Sequence, residues 1–330
     1  MAVLVGVVIA GAAAFFFRLH RAAAPAIISG PLPDLLSQLP GDAPVIAFVD
    51  MAALRATDFA AGIESLAPQA KEDPDYREFV RATGFDYARD LDRAAIAAWP
   101  SPDERQGPNK ILAVADGRFD RAKISGYALR FGKSAGKADR QVFEIPGDSR
   151  SGPISFTFLA PSRIALASAV NVENALAHRS VPPFDPTRQA QMARVAGAPI
   201  FAMARADNLP KELQLNFGNF DQLRKLLEGI RAIAAAGRPQ GQNFEVAADA
   251  DCDSALHALQ LATLLDGLRI FGRAALSDPK TRGQMTREQV VLLDTLLRTA
   301  SVSHDGHWVR INLEITQAML PARIAYRDAH

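Results

Sequence analysis

Three aspartates on alternate positions, Asp249, Asp251 and Asp253, form a group whose spacing could bind a cation. A calcium-binding loop has this spacing, but it also requires glycine at its sixth position and a bidentate glutamate at its twelfth. The chain has Ser254 and Gln260 at those two positions. The sequence therefore predicts structural aspartates at a strand end, with Asp253 as the N-cap of the following helix.

Two histidines, His304 and His307, flank an Asp305-Gly306 dipeptide, which is a strong signal for a two-residue hairpin turn. In that hairpin the imidazoles would lie opposite each other, with Cβ atoms about 5 Å apart, and could share a metal ion. No third ligand follows at a recognisable spacing, whereas a catalytic zinc usually has three protein ligands. A solvated cross-strand pair is the simpler interpretation, which leaves His304 and His307 as weak metal candidates.

The single cysteine, Cys252, is a third candidate for chemistry. A nucleophilic thiolate needs a partner base and an electropositive setting. His257 lies five residues further on, about one and a half helical turns away, so the two side chains are not clearly aligned. A lone cysteine is more often a small buried hydrophobe, and we predict that role here.

Charged residues are concentrated in an acidic loop, residues 86–92, within the stretch "GFDYARDLDR". Paired carboxylates can act as general acid and base, but balanced charges beside a strand are typical of a solvated surface. The carboxylates are Asp86, Asp90 and Asp92, and the arginines are Arg89 and Arg93.

No recognisable catalytic or cofactor motif strengthens these candidates. The sequence contains no G-x-S-x-G, no phosphate loop and no dinucleotide fingerprint. We therefore predict a non-enzymatic protein with no catalytic residues and no cofactor. The alternative is a hydrolase or metal-dependent enzyme that uses the acidic loop or the His304/His307 pair.

Composition narrows the class of protein and of partner. The chain has 330 residues, enough for two domains with full cores, and its 48% hydrophobic and 22% charged residues are typical of a globular protein. Lys plus Arg is 37 against 36 for Asp plus Glu, so no net positive field attracts nucleic acid. A nucleic-acid partner is not expected.

Residues 1–17, "MAVLVGVVIAGAAAFFF", carry no charged side chain. A helix of that length spans roughly 25 Å, slightly less than a ~30 Å hydrocarbon core, and we predict a transmembrane anchor. The alternatives are a cleaved signal peptide, with small residues at 22–24, and a buried core helix. Residues 18–33, which include Pro, Gly and Ser, would tether this anchor to the folded body.

The orientation of the anchor is set by the charges around it. Arg18, His20 and Arg21 follow the apolar stretch, and basic residues on that side alone would retain the body in the cytoplasm. We expect instead that Met1 is a late start that lacks a basic segment, which gives a single-pass inner-membrane protein with a periplasmic body.

Two stretches, "APVIAFVDMAAL" (43–54) and "APIFAMARADNL" (198–209), match at a constant offset of 155 residues (198 − 43). Each precedes a predicted helix and a predicted hairpin, at 93–117 in one case and 230–251 in the other. Asp120 and Asp253 then stand where each would cap a helix.

The order of elements therefore predicts two tandem similar units, residues 34–185 and 186–330. Each would contain a strand, a helix, a hairpin, a helix, a second hairpin and a last helix, which in the second unit falls at 317–326. We expect an α+β fold in which each unit has a mainly antiparallel sheet with helices on one face.

Three segments of the chain resemble a known family. These are the opening around Leu39, Pro40, Asp42 to Val45 and Asp50, together with "GFDYARDLDR" and "ADCDSALHAL" (250–259). They are similar to bacterial membrane-anchored envelope proteins of a domain-of-unknown-function family with a duplicated α+β unit. The resemblance implies an envelope location and no catalytic residues, and hence a binding or scaffolding module for a protein, peptide or lipid.

Overall fold

The computed structural model describes residues 33–57, 74–101, 109–136, 141–147, 152–177, 184–206 and 226–316. The predicted anchor, all of the tether except Pro33, and the last predicted helix at 317–326 lie outside the described residues. Across these described ranges, no helix combines the length and the apolar character needed to cross a membrane.

One sheet contains the twelve strands of the described residues. In chain order they are β1 (Val45–Asp50), β2 (Leu91–Trp99), β3 (Lys110–Gly117), β4 (Lys133–Ala135), β5 (Val142–Ile145), β6 (Ile154–Ala160), β7 (Arg163–Ser168), β8 (Ile200–Arg205), β9 (Ile230–Gln240), β10 (Asn243–Cys252), β11 (Ser301–Asp305) and β12 (Trp308–Ile315). The order across the sheet is β11-β12-β10-β9-β8-β1-β2-β3-β7-β6-β5-β4, with every neighbouring pair antiparallel. The predicted α+β class with a mainly antiparallel sheet is confirmed.

Short helices connect most of the strands. A 3-10 helix (Asp34–Gln38) precedes β1, and the α-helices of the described ranges are α1 (Met51–Arg55), α2 (Pro74–Thr83), α3 (Tyr87–Asp90), α4 (Arg121–Phe131), α5 (Val172–Ala177), α6 (Pro186–Val195), α7 (Ala255–Ser277), α8 (Pro279–Gly283) and α9 (Arg287–Thr299). The predicted hairpins at 93–117 and 230–251 correspond to β2–β3 and β9–β10.

The two Pro-bearing strands lie side by side at the centre of the sheet. Pro44 and Pro199 each directly precede their strand, β1 and β8. Proline has no N–H to donate, and here only its carbonyl is used, since Pro44 accepts from Arg205 N at 3.0 Å and Pro199 from Asp50 N at 2.6 Å. A central position is therefore compatible with both prolines, and the two halves join edge to edge.

Helices cover both faces of the sheet, so the expectation of helices on one face is wrong. Ile46 and Phe48 of β1 pack in a core with the 3-10 helix, α5 and α6, whereas Val49 packs with α2 and α4 on the opposite face. The physical reason is visible in β2, "LDRAAIAAW", whose apolar run does not alternate because both of its faces are buried. We call the two sides the α6 face and the α7 face. The helix α7 lies on the same side as α4, because Val246 of β10 packs with Tyr127 of α4, and Ala250, on the same side of β10, packs with α7.

Side-chain caps fix where the main helices begin. Asp120 accepts from Lys123 N at 3.0 Å at the start of α4, as predicted. The cap of α7 is Ser254, which accepts from His257 N at 3.2 Å, so the assignment of Asp253 as the cap is wrong by one residue. The carboxylate of Asp253 instead contacts the imidazole of His257.

Candidate functional site

In the acidic loop, Asp90 is held by two guanidinium groups. Its side chain is 10% exposed and lies 2.6 Å from Arg89 Nη2 and 3.3 Å from Arg118 Nε. The hydrogen bond from Arg89 is the main reason that the pKa of Asp90 falls to about 2. A carboxylate of this pKa is a weak base at neutral pH and is too acidic to act as a general acid.

The other two carboxylates of the loop also have structural partners. Asp86 Oδ1 accepts from Ala88 N at 2.9 Å, which caps α3, and from Tyr76 Oη at 3.0 Å. Asp92 accepts from Arg55 at 2.8 Å. The loop therefore ties α1, α2 and α3 to the sheet.

The histidine pair is not assembled as the sequence predicted. His304 lies opposite Val309 in the β11–β12 ladder, and His307 lies in the turn itself, after Gly306. Gly306 has a φ of 55° and is the first of the two turn residues, as a type II′ turn requires. The predicted turn was therefore wrong by one residue, and this shift separates the two imidazoles.

His307 contacts a buried carboxylate instead of the other histidine. Its Nδ1 lies 2.6 Å from Asp251 Oδ1, which also accepts from Arg231 Nη2 at 2.6 Å. The side chain of Asp251 is 2% exposed, so this arginine and histidine provide the partners that its buried charge requires. Among the described residues, no group of three or more His, Cys, Asp or Glu side chains could hold a metal ion.

Cys252 and His257 also have structural surroundings. Cys252 is fully buried, and burial raises the pKa of its thiol to about 11, which makes a thiolate scarce at neutral pH. The imidazole of His257 lies 2.8 Å from Asp253 Oδ1 and 2.7 Å from the Leu226 carbonyl oxygen. His257 thereby fixes the first turn of α7 to the segment that leads into β9.

Two buried ion pairs that the sequence reasoning missed lie on the α6 face. Asp249 is 1% exposed and accepts from Arg310 at 2.9 and 2.5 Å, and Asp116 accepts from Arg163 at 2.6 and 2.9 Å. In both cases the aspartate and the arginine are register partners on neighbouring strands. The aspartates inside these apolar strands were a usable signal, but the partner of each depends on a strand register that local patterns do not specify.

A cavity of about 390 Å³ lies between the 3-10 helix, β6, β7 and α5. Its lining includes the arginine of one buried ion pair, Arg163, which is already bonded to Asp116 and Asp34. The lining also includes Thr157, Leu159, Glu173 and Leu176. This mixture contains no set of free polar groups that converge on one ligand.

The clearest candidate for a binding surface is the outward side of α7 and α9. We define this apolar face by five exposed side chains, Leu256 (65% exposed), Leu259 (44%), Ile270 (57%) and Phe271 (72%) on α7, and Val291 (48%) on α9. Large exposed apolar side chains that recur along one element mark interaction surfaces more often than single scattered ones do.

The α7 part of the face continues through small and uncharged residues. Thr263, Gly267 and Ala274 are also exposed and fall at helical spacing between the larger side chains. Asp266 and Arg269, the charged residues nearest to the middle of α7, neutralise each other at 2.8 Å. The sequence signal was available, because "ALHALQLATLLDGLRIF" is apolar on nearly every side of a helix.

Comparison with known proteins adds distant structural neighbours. No protein-family model and no curated protein matches the sequence. Three crystal forms of TP0453 are similar in structure at 11% identity: form III (TM-score 0.47, covering 88% of this chain and 96% of that one), form IV (0.48, 87% and 94%) and form I (0.46, 87% and 94%). The resemblance to a family of envelope proteins stays a prediction, and the chain is similar to TP0453 only as a distant structural neighbour.

Proposed function

We propose that this protein is a non-enzymatic, membrane-anchored module of the bacterial envelope that binds or scaffolds a partner through its apolar face. The observation that carries the proposal is the exposure of Ile270 and Phe271 on a helix with few charged residues. A helix that is apolar on all sides normally has both its inward and its outward side covered. The sheet covers one side of α7, so a binding partner is the natural cover for the other.

The candidate catalytic groups support a binding role over hydrolysis. An enzyme needs titratable side chains from several segments that converge on one cleft. The carboxylates of the acidic loop are bonded to arginines, a tyrosine and backbone N–H groups, and the buried Asp251 is bonded to Arg231 and His307. Each of these contacts gives a carboxylate a structural partner, which favours a structural role for these groups.

We further propose that the chain contains one α+β unit twice. In support, the strands run outward from the centre in matching order, β1-β2-β3-β7-β6 on one side and β8-β9-β10-β12-β11 on the other. Ala47 lies opposite Ala202, its own counterpart at the offset of 155 residues, so the matched strands pair about a local two-fold axis. The buried aspartates Asp116 and Asp249 also match, at an offset of 133 residues (249 − 116).

The proposed location is the inner membrane, which the chain would span once through residues 1–17, with its folded body in the periplasm. Their lack of charged side chains supports the proposal. Alkaline phosphatase fused after His330 should be active, because this enzyme matures only outside the cytoplasm. An inactive fusion at normal abundance, together with an active β-galactosidase fusion at the same position, would show that the body lies in the cytoplasm.

The binding role can be tested by photo-crosslinking from the apolar face. A photoreactive phenylalanine analogue replaces Phe271 in the full chain, and a matched control replaces Leu129 of α4, which is 49% exposed. We expect adducts, with either protein or lipid, from position 271 and few from position 129. Equal yields at the two positions, or none at 271, would contradict the proposed binding surface.

A further inference from the structure

We infer that the apolar face docks on the surface of an anionic phospholipid bilayer. This inference rests on the proposed function and specifies the partner. It arises from the charges that flank Ile270 and Phe271 and from the shape of the surface.

Cations follow the apolar residues directly along the chain. Residues 273–288 contain four basic side chains, Arg273, Lys280, Arg282 and Arg287, against two carboxylates, Asp278 and Glu288. All four basic residues are exposed. Asp278 caps α8 by accepting from the backbone N–H groups of residues 280 and 281. No carboxylate that the structure describes forms an ion pair with any of the four cations.

This charge pattern favours an anionic partner over a second copy of the chain. In a two-fold dimer through the apolar face, each copy would bring the same four cations to the interface, where like charges repel. An anionic bilayer offers phosphate groups to the cations and acyl chains to Ile270 and Phe271. Apolar helical residues beside a basic cluster are the pattern that binds at such an interface.

The shape of the surface favours a bilayer over a peptide or a small ligand. Both of the latter bind in concave sites, either a groove between elements or an enclosed pocket. The apolar face is the outward side of a helical layer, in which Gly272 of α7 packs against Leu297 of α9. Ile270 and Phe271 are adjacent on that outward side and are 57% and 72% exposed, so a planar surface can contact both together.

The proposed anchor and the apolar face would act on the same membrane. A segment of 17 residues without charge at the N-terminus would already hold the body beside a bilayer. Docking would then be intramolecular, so a modest apolar contact is effective at the high local concentration of lipid. The cations would set which lipid headgroups are preferred.

A fluorescent label can test docking in the full-length protein. In an Ala274→Cys variant, a polarity-sensitive thiol probe reports from the exposed side of α7, while the buried Cys252 with its raised pKa stays unlabelled. The matched control is Ala135→Cys on β4, also exposed. Both proteins are reconstituted in phosphatidylcholine vesicles, with and without phosphatidylglycerol, and are titrated with brominated lipid as a quencher.

We expect quenching at position 274 that rises with phosphatidylglycerol, and none at position 135. Adding Ile270→Ser and Phe271→Ser should abolish the quenching, whereas Phe271→Leu should preserve it. Replacing Lys280 and Arg282 by Gln should shift the docking equilibrium about fivefold per charge removed, because each basic residue near an anionic surface contributes about 1 kcal/mol. Thermal unfolding of each variant verifies that it is folded.

Two outcomes would overturn the lipid assignment. One is an absence of quenching at position 274 in every vesicle, and the other is equal quenching with and without phosphatidylglycerol. If Phe271 then forms photo-adducts with protein alone, the proposed binding function stands and only the lipid partner is wrong. If position 271 forms no adducts at all, both proposals fail.

Discussion

The two halves of the sheet, β1-β2-β3-β7-β6 and β8-β9-β10-β12-β11, have a matching strand order and differ in the elements that follow their third strands. In each half a helix follows the third strand, α4 after β3 and α7 after β10. The helix α4 has 11 residues and leads into β4 and β5, which extend the sheet, whereas α7 has 23 residues and leads into α8 and α9. The apolar face thus lies on α7 and α9, the elements in which this half differs from the other.

The elements in which the two halves differ also have different exposed surfaces. The strand β4 is three residues long, fully exposed and begins with Lys133, features that discourage further pairing at a sheet edge. The helix α7 instead exposes Ile270 and Phe271 to solvent. The sheet edge at β4 is thus protected against further strand pairing, whereas α7 presents an apolar surface.

The largest expected difference between the two halves is in the stability that each buried ion pair contributes. We expect Asp249→Ala to lower the free energy of unfolding by about 3–5 kcal/mol, because Arg310 is left buried without a partner. Asp116→Ala should cost less, about 1–3 kcal/mol, because Arg93 and Arg163 are more exposed and Asp34 still contacts both of them. Urea denaturation followed by circular dichroism measures both values, and equal losses would contradict the comparison.

Two glycines at helix ends should differ for a steric reason. An alanine Cβ at Gly229 would collide with the ring of His257, so Gly229→Ala should cost about 1–3 kcal/mol of unfolding free energy. Gly84 has nothing within 4 Å of an added Cβ but a φ of 76°, so Gly84→Ala should cost about 1–2 kcal/mol from backbone strain alone.

A double-variant cycle distinguishes the two causes. His257→Ala should rescue Gly229→Ala, because it removes the colliding ring, and should leave the cost of Gly84→Ala unchanged. If His257→Ala failed to rescue Gly229→Ala, the close approach between the residues just before β9 and α7 would not be the reason for glycine at position 229.

The acid sensitivity of the first half should depend on Asp90. Its pKa is lowered from 3.8 to about 2, so it stabilises the fold above pH 4, and this contribution is lost as the pH falls through about 2. The partner Arg89 is largely exposed, so we expect a contribution of roughly 1 kcal/mol. Asp90→Asn should lower stability at pH 7 and flatten its slope between pH 4 and 2, as measured by urea denaturation at each pH. An unchanged slope would contradict the assignment.

The smallest effect is expected on the apolar face itself. Phe271 is 72% exposed, so Phe271→Ser should change the free energy of unfolding by less than about 0.5 kcal/mol. Phe79 of α2 is 3% exposed and contacts Tyr127 at a ring distance of 5.4 Å, so Phe79→Ala should cost about 3–5 kcal/mol as the buried control. A large loss of stability in Phe271→Ser would mean that this side chain is part of the core.

Many of the strands and helix ends could be predicted from local sequence patterns. The Ala-Pro strands, the two hairpins β2–β3 and β9–β10, and the cap at Asp120 follow from turn residues, apolar runs and capping preferences. The hairpin β4–β5 and the helix α9 were not predicted, because each interrupts the order that the two halves share. A Thr286–Gln289 capping box was a signal for α9.

The site was harder to predict because it depends on long-range placement. Whether Leu256 or Phe271 is buried depends on which side of α7 faces the sheet, and a helix that is apolar on every side does not specify this. The ion pairs Asp116–Arg163 and Asp249–Arg310 depend on strand register, and the histidine pair failed because a one-residue shift of the turn changes every cross-strand neighbour.

The pairing of β1 with β8 at the centre of the sheet has a consequence for synthesis on the ribosome. Ala47 meets Ala202 only after a further 155 residues (202 − 47) have been added. At roughly 5–20 residues per second, the open edge of β1 waits about 10–30 seconds for its partner. During that interval the edge could pair with β1 of another nascent chain, since exposed strand edges are templates for association. Slow elongation would then favour mispaired dimers, and a chaperone that covers β1 would protect the later, correct pairing.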